Sequence, residues 1–307
     1  MNQNRREFCV LSSAAAASLL ATGWRPAFGT ELSASAIPIE KWEQPICAFI
    51  KFIQQLSFDQ LAETMAKQGF QGIEATIRPK GLIEPKDVPE QLPKLVAALK
   101  KQNLEITVMT TNINHADDPM NRRVLKVAAD LGVKRYRTQY YKYDLAKPVA
   151  PQIETFRPQA MGLAKLNREL GLTAVYQNHA GAQYLGSTMW DLDRLLTDID
   201  PNEIGIAFDI RHAIASAGQS WPVFWNIAKP RVKAIYVKDF RWNGLKTENV
   251  PLGTGVLDPK FFKILATREH QVPISLHVEY LQNEGLQKNI AALETDLKKL
   301  HKLIGIN

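Results

Sequence analysis

Ile204-Gly205-Ile206-Ala207-Phe208-Asp209 is an apolar run that ends on a carboxylate, and Val232-Lys233-Ala234-Ile235-Tyr236-Val237-Lys238 is a second run that ends on a lysine. Runs this short, rich in Ile, Val and aromatic residues, read as strands buried on both faces. Between them, residues 222–228 have the composition of a short helix. A buried strand, a helical crossover and another buried strand make one parallel unit, because parallel neighbours cannot be joined by a tight hairpin.

The same unit recurs in both directions along the chain. Strands are expected at 46–52, 72–76, 104–110, 135–138 and 173–177 on the N-terminal side, and at 273–278 on the C-terminal side. Helices are expected after them: from the cap Ser57 to Lys67, then at 89–102, 120–131, 151–170, 187–196, 259–267 and 283–303. Gly69, Gly132 and Gly171 follow three of these as helix stops. Eight strand–helix units with no break in composition predict one α/β domain, a closed (β/α)8 TIM barrel over residues 37–307. An open doubly wound sheet is disfavoured, because no glycine-rich dinucleotide turn follows the first strand.

The first 36 residues read differently. Asn4-Arg5-Arg6-Glu7-Phe8 precedes an Ala/Leu-rich stretch from Cys9 to Ala21, a charged segment followed by an apolar one. That order, with paired arginines, predicts an export signal of the twin-arginine type and a periplasmic location. Cleavage is expected near Ala27-Phe28-Gly29 or Ala34-Ser35-Ala36. The stretch is too short for a membrane span, and no other run reaches the required length. Cys47 is then the one cysteine of the mature chain, and its apolar neighbours predict an inert buried thiol. A net charge of +7 is spread along helices in mixed runs, without the basic stripe and interleaved aromatics that nucleic acid requires.

In such a barrel, chemistry collects where strands end. Residues two apart on a strand share a face, and four late strands end in polar pairs at that spacing: Gln177/His179, Asp209/Arg211, Tyr236/Lys238 and His277/Glu279. The second strand adds Glu74 and Thr76, with Arg78 beyond. A solvated barrel floor needs no such cluster, so these side chains predict a concave site. His115, His270 and His301 fall outside the pattern. Trp190, Trp221, Trp225 and Trp242 follow strands five to seven, where some would pack on the core and others could stack on a sugar ring.

Several segments carry a family likeness: Tyr176-Gln177-Asn178-His179-Ala180-Gly181, Phe208-Asp209-Ile210-Arg211-His212, Ile235-Tyr236-Val237-Lys238-Asp239 and Ile274-Ser275-Leu276-His277-Val278-Glu279. Gly72-Ile73-Glu74-Ala75-Thr76-Ile77-Arg78-Pro79 and Pro251-Leu252-Gly253-Thr254-Gly255 add to it. In this order the chain resembles the xylose isomerase-like sugar phosphate isomerase/epimerase superfamily. The resemblance implies one divalent metal held by Glu, Asp, His and Glu from strands five to eight. Those positions hold Gln177, Asp209, Tyr236 and His277 here, and only Asp209 keeps the family's ligand type. A set of Asp209, Gln177 and His277 could accept Zn²⁺ more readily than Mn²⁺, because it has lost anionic oxygen ligands.

The resemblance implies a sugar isomerase or epimerase that abstracts a proton next to a carbonyl of a small carbohydrate. Glu279 and Glu74 are the base candidates. Lys238 can steady the developing oxyanion in place of a metal, or close an ion pair with Asp209 or Glu279. Substrate contacts are expected from His212, His179, Arg78 and Tyr236. A lyase or hydratase acting on oxidised sugars uses the same first step. A carbohydrate-binding barrel without catalysis is the alternative that the substituted ligand set favours.

Overall fold

The computed structural model describes residues 42–267 and 271–306. The expected export signal with its cleavage sites, and His270, lie outside the described residues. Eight parallel strands close into a barrel: β1 (Ile46–Phe49), β2 (Gly72–Thr76), β3 (Glu105–Thr110), β4 (Arg135–Arg137), β5 (Thr173–Gln177), β6 (Ile204–Asp209), β7 (Val232–Val237) and β10 (Ile274–Leu276). The ring shuts where Ile46 of β1 pairs with Ile274 of β10. Helices α1 (Phe58–Gln68), α2 (Val88–Lys101), α3 (Pro119–Asp130), α4 (Val149–Leu170) and α5 (Met189–Leu196) cover the first five strands. Helices α6 (Ile210–Ala217), α7 (Trp221–Ala228), α8 (Pro259–Leu265) and α9 (Leu286–Ile304) complete the outer layer.

Local chemistry explains the element ends. Ser57 and Gln60 form a capping box at α1, in which each side chain accepts from the other's backbone N–H. The helix stops at Gly69, whose φ of 91° suits a residue without Cβ. The main core lies between strands and helices, whereas a small cluster of Val108, Val175, Ala207, Ala234 and Tyr236 fills the barrel interior. Small side chains on most staves leave room there for one large ring, and Tyr236 takes it.

Two features depart from the expected element order. Helix α6 starts immediately after β6, because Asp209 ends the strand and caps the helix, its carboxylate accepting from the backbone N–H of His212 at 3.1 Å. A polar antiparallel ribbon, β8 (Asp239–Asn243) with β9 (Lys246–Val250), is inserted after β7. Its turn begins at Asn243-Gly244, and Gly244 adopts a φ of 60°. The ribbon returns to the barrel through the 251–255 segment, which is tied to Asp239: the carboxylate accepts from the backbone N–H groups of Gly253 (2.9 Å), Gly255 (3.0 Å) and Leu257 (3.3 Å). Asp239 therefore organises a loop. No helix among the described residues is long and apolar enough to cross a membrane.

Candidate active site

Side chains from six strands and the loops just beyond them converge at the mouth of the barrel around a cavity of 210 Å³. Its floor is a charged network that runs across the ring. Glu74, at mid-β2, is fully buried and accepts from Ser275 Oγ (2.5 Å), from Thr110 Oγ1 and from His277 Nε2 (2.9 Å). The other ring nitrogen of His277, Nδ1, lies 3.4 Å from Glu279 Oε1. Lys238 Nζ lies 3.5 Å from Glu279 and 3.3 Å from Asp209 Oδ2. Gln177 Nε2 donates to that same Oδ2 at 2.7 Å, and Gln177 Oε1 accepts from Arg137 Nη1 (2.9 Å) and from Tyr140 Oη.

The network fixes protonation states. Burial pushes the Glu74 carboxyl up, but His277, Arg137 and Ser275 outweigh it and hold it at about 2. Burial opposes the charge on Lys238, yet Asp209 and Glu279 keep the ammonium above its ordinary pKa. Glu279 is likewise held well below the usual carboxylate range by Lys238 and His277 against the cost of burial. His277, between two carboxylates and sandwiched by Phe49 (centroids 4.5 Å apart) and Tyr236 (4.6 Å), is raised despite its burial. It is the one histidine at the site built to carry a proton. Burial and the nearby Lys238 lower His179 to about 4, so it is neutral at pH 7.

The expected site residues divide into a wall and a support. Glu74, Arg78, Gln177, His179, Lys238, His277 and Glu279 line the cavity. Asp209 lies behind Gln177 and Lys238. His212, an expected substrate contact, stands behind His179 with ring centroids 3.9 Å apart, and its Nδ1 pairs with Arg211 Nη1 at 3.0 Å. Tyr236 points into the barrel interior, where burial and Glu74 hold its phenol protonated. Trp221 and Trp225 pack against Phe261 in the core, and the exposed Trp190 and Trp242 do not reach the cavity. Four wall residues were not anticipated: Phe49, Lys51, Arg137 and Tyr140. Arg137 was legible in principle, as the last polar residue of a strand whose end faces the mouth.

A family model described as xylose isomerase-like TIM barrel matches residues 62–300. The chain belongs to that family. It is 28% identical over 249 residues to an inosose dehydratase of Mesomycoplasma hyopneumoniae, covering 70% of this chain and 79% of the relative. Among solved structures, a probable 3-DHS dehydratase from Bacillus anthracis superposes with a TM-score of 0.64 at 15% identity, over 81% of this chain and 98% of that one. D-Psicose 3-epimerase from Clostridium cellulolyticum H10, solved with D-tagatose, gives 0.64 at 13%, over 85% and 99%.

The four positions where the family resemblance implies metal ligands hold Gln177, Asp209, Tyr236 and His277, and their hydrogen bonding does not suit a divalent cation. Gln177 has its carbonyl engaged by two donors and turns its amide N–H toward Asp209. Both nitrogens of His277 face carboxylates, and Tyr236 is a protonated phenol. Lys238 places a fixed positive charge against Asp209, where a cation would have to bind. Among the described residues, no group of three or more His, Cys, Asp or Glu side chains is arranged to hold a metal ion.

Proposed function

We propose that this protein is an enzyme of the sugar isomerase/epimerase type that removes a proton next to a carbonyl of a small sugar derivative, with the Lys238 ammonium in the role of an electrophile. The observation that carries this reading is the junction of Lys238 with Glu279: a buried cation and a partly accessible carboxylate 3.5 Å apart at one cavity wall. The side chain of Glu279 is 24% exposed, whereas that of Glu74 is fully buried and saturated with donors. Glu279 is therefore the base, and Glu74 the counter-ion that favours the protonated form of His277.

With a carbonyl oxygen on Lys238 Nζ, Glu279 takes the adjacent C–H proton and the electron pair moves into an enediolate held by the ammonium. Return of that proton to the former carbonyl carbon, with the hydroxyl proton on the neighbouring carbon passing to the old carbonyl oxygen, completes an isomerisation. A second reading, dehydration, is favoured by the protonated His277. His277 would protonate a departing hydroxyl as water while Glu279 holds the abstracted proton. The two groups are 3.4 Å apart, so that proton can pass back to His277 and reset the site. The name of the Mesomycoplasma relative points the same way. Export by the twin-arginine route would place either reaction in the periplasm.

Incubating the protein with a panel of ketoses, aldoses and inososes in D₂O, followed by NMR, tests the reading. Loss of a C–H signal next to the carbonyl is expected, slowed about 10²–10⁴-fold in Glu279→Gln. Binding of sugars without exchange or turnover would make the protein a binding barrel.

A further inference from the structure

The cations of this site outnumber the carboxylates that could neutralise them, and the surplus has a location. Lys238 and His277 are matched by Asp209, Glu279 and Glu74. Arg137 is not. Only 6% of its surface is exposed, and its guanidinium donates from Nη1 to two neutral oxygens, those of Tyr140 (2.6 Å) and Gln177 (2.9 Å). It forms no ion pair among the described residues. Arg78, half-buried beyond the end of β2, has neither a side-chain hydrogen bond nor an ion pair among them. Lys51, just beyond β1, rests its ammonium 4.8 Å from the ring centroid of Phe52 and forms no ion pair among the described residues, its charge reaching Glu279 only at longer range. Glu74 and Glu279 act on the buried Arg137 guanidinium only from beyond ion-pair distance, and two arginines facing one cavity add mutual repulsion. Burial and Arg137 together already pull the Arg78 pKa down.

A second cavity, of 430 Å³, shares Lys51 and Arg78 with the first and opens outward from it. Lys80, Gln54, Asn112 and Asn283 add to its lining, and no carboxylate does. Lys51 and Arg78 thus stand at the junction of an inner chamber that holds the proton-transfer groups and an outer vestibule of cations and amides. The order of strands around the ring puts these two cations at the ends of β1 and β2, with Lys238 and His277 at the ends of β7 and β10 to the other side of β1.

We propose that Lys51 and Arg78, backed by Arg137, form an oxyanion subsite, and that the substrate is an acidic sugar whose carboxylate or phosphate sits there while its carbonyl reaches Lys238. This deepens the proton-abstraction reading, from which it takes the position of the carbonyl, but the subsite itself is defined by the unpaired cations. A carboxylate on the sugar ring would engage Arg78 and Arg137 within the inner chamber. A phosphate on a terminal carbon would extend into the vestibule toward Lys80. In both cases the fork of an arginine supplies paired N–H donors to paired oxygens.

Calorimetric titration of the full mature chain with D-glucuronate, D-glucose 6-phosphate and D-glucose tests the subsite without requiring turnover. One of the two anions is expected to bind at least about tenfold more tightly than D-glucose. That advantage is expected to fall roughly 10–100-fold in Arg78→Gln, the usual worth of a charge-assisted hydrogen bond, and to be partly rescued in Arg78→Lys. Preference for glucuronate assigns a carboxylate, and preference for the phosphate ester assigns the vestibule. Lys51→Gln, at an exposed position that leaves folding intact, should reduce the same advantage. Equal binding of anions and D-glucose, no binding of either anion at millimolar concentration, or an anion preference untouched in both variants would overturn the proposal. Failure of proton exchange with intact anion preference would overturn the catalytic reading and leave the subsite standing.

Discussion

Replacing Lys238 by Met removes the ammonium while keeping the length of its stem. Asp209, fully buried, then loses a cation at 3.3 Å, and Glu279 loses one at 3.5 Å. At an effective dielectric constant of 20, a unit pair at this separation interacts by about 5 kcal/mol. Asp209 keeps hydrogen bonds from Gln177 Nε2 and the backbone of His212, and Glu279 can turn toward water. These compensations bring the expected loss to about 3–5 kcal/mol, the range found when one partner of a buried pair is removed. In a domain of this size that lowers Tm by roughly 10 °C. Urea unfolding followed by circular dichroism reads the change directly. Asp209→Asn in the Lys238→Met background should recover at least about 1 kcal/mol, because the orphaned charge is gone. A Lys238→Met protein as stable as the parent, or a double variant no better than the single one, would refute the assignment of Lys238 as the counter-ion of Asp209.

His179 is held at about 4 when folded, against 6.5 for an unperturbed imidazole, so the unfolded chain binds the extra proton first. Stability should therefore decline as pH falls from about 6.5 to 4, by roughly 2–3 kcal/mol from this residue, and His179→Gln should flatten that limb of a Tm–pH profile. Glu74, held at about 2, has the depressed carboxylate pattern: its contribution is complete above about 4.5 and lost between there and 2, so Glu74→Gln should remove that steeper acid limb. His277 works in the other direction, since its raised pKa gives stability below about 6.5 that fades as pH rises through the folded value. A Cβ at Gly255 would stand 2.2 Å from both Asp239 Oδ1 and the carbonyl oxygen of Phe240, so Gly255→Ala should cost about 1–3 kcal/mol, measurable as a lower Tm.

The strands were legible wherever the chain buries both faces of a stave. Gly72–Thr76, Thr173–Gln177 and Ile204–Asp209 appear where their apolar runs placed them. The first strand stops three residues short of its expected end, because Ile50 leads into a turn whose Ile53 packs with it in the core. Helix α6 was hidden by the double duty of Asp209, which looked like a strand end and is also a cap. The β8–β9 ribbon carries polar residues on an exposed insertion, so hydrophobic periodicity has nothing to report there beyond the Asn243-Gly244 turn.

At the site, the spacing rule found the residues but not their partners. Same-face pairs such as His277/Glu279 are local and readable. The bonds that set their chemistry join Glu74 to Ser275 and His277, about two hundred positions apart, and appear only once the ring closes between β1 and β10. Arg137 is harder to read, because Arg135–Arg137 is short and charged at both ends, and only its place at the C-terminal end of the strand distinguishes it from Arg135. The ion pair expected for Lys238 as one alternative and its role against a substrate oxygen as the other are compatible in the structure, since the same ammonium touches Asp209 and borders the cavity.

The most direct test is the metal dependence of proton exchange. The purified protein is stripped with a chelator, its metal content measured, and solvent deuterium incorporation into an accepted sugar followed before and after addition of Mn²⁺ or Zn²⁺. The expected result is exchange that proceeds at the same rate in all three states and is lost in Lys238→Met. Exchange that vanishes with the chelator and returns in proportion to bound metal would show that Asp209 and His277 serve an ion after all, and that the ammonium of Lys238 is not the electrophile.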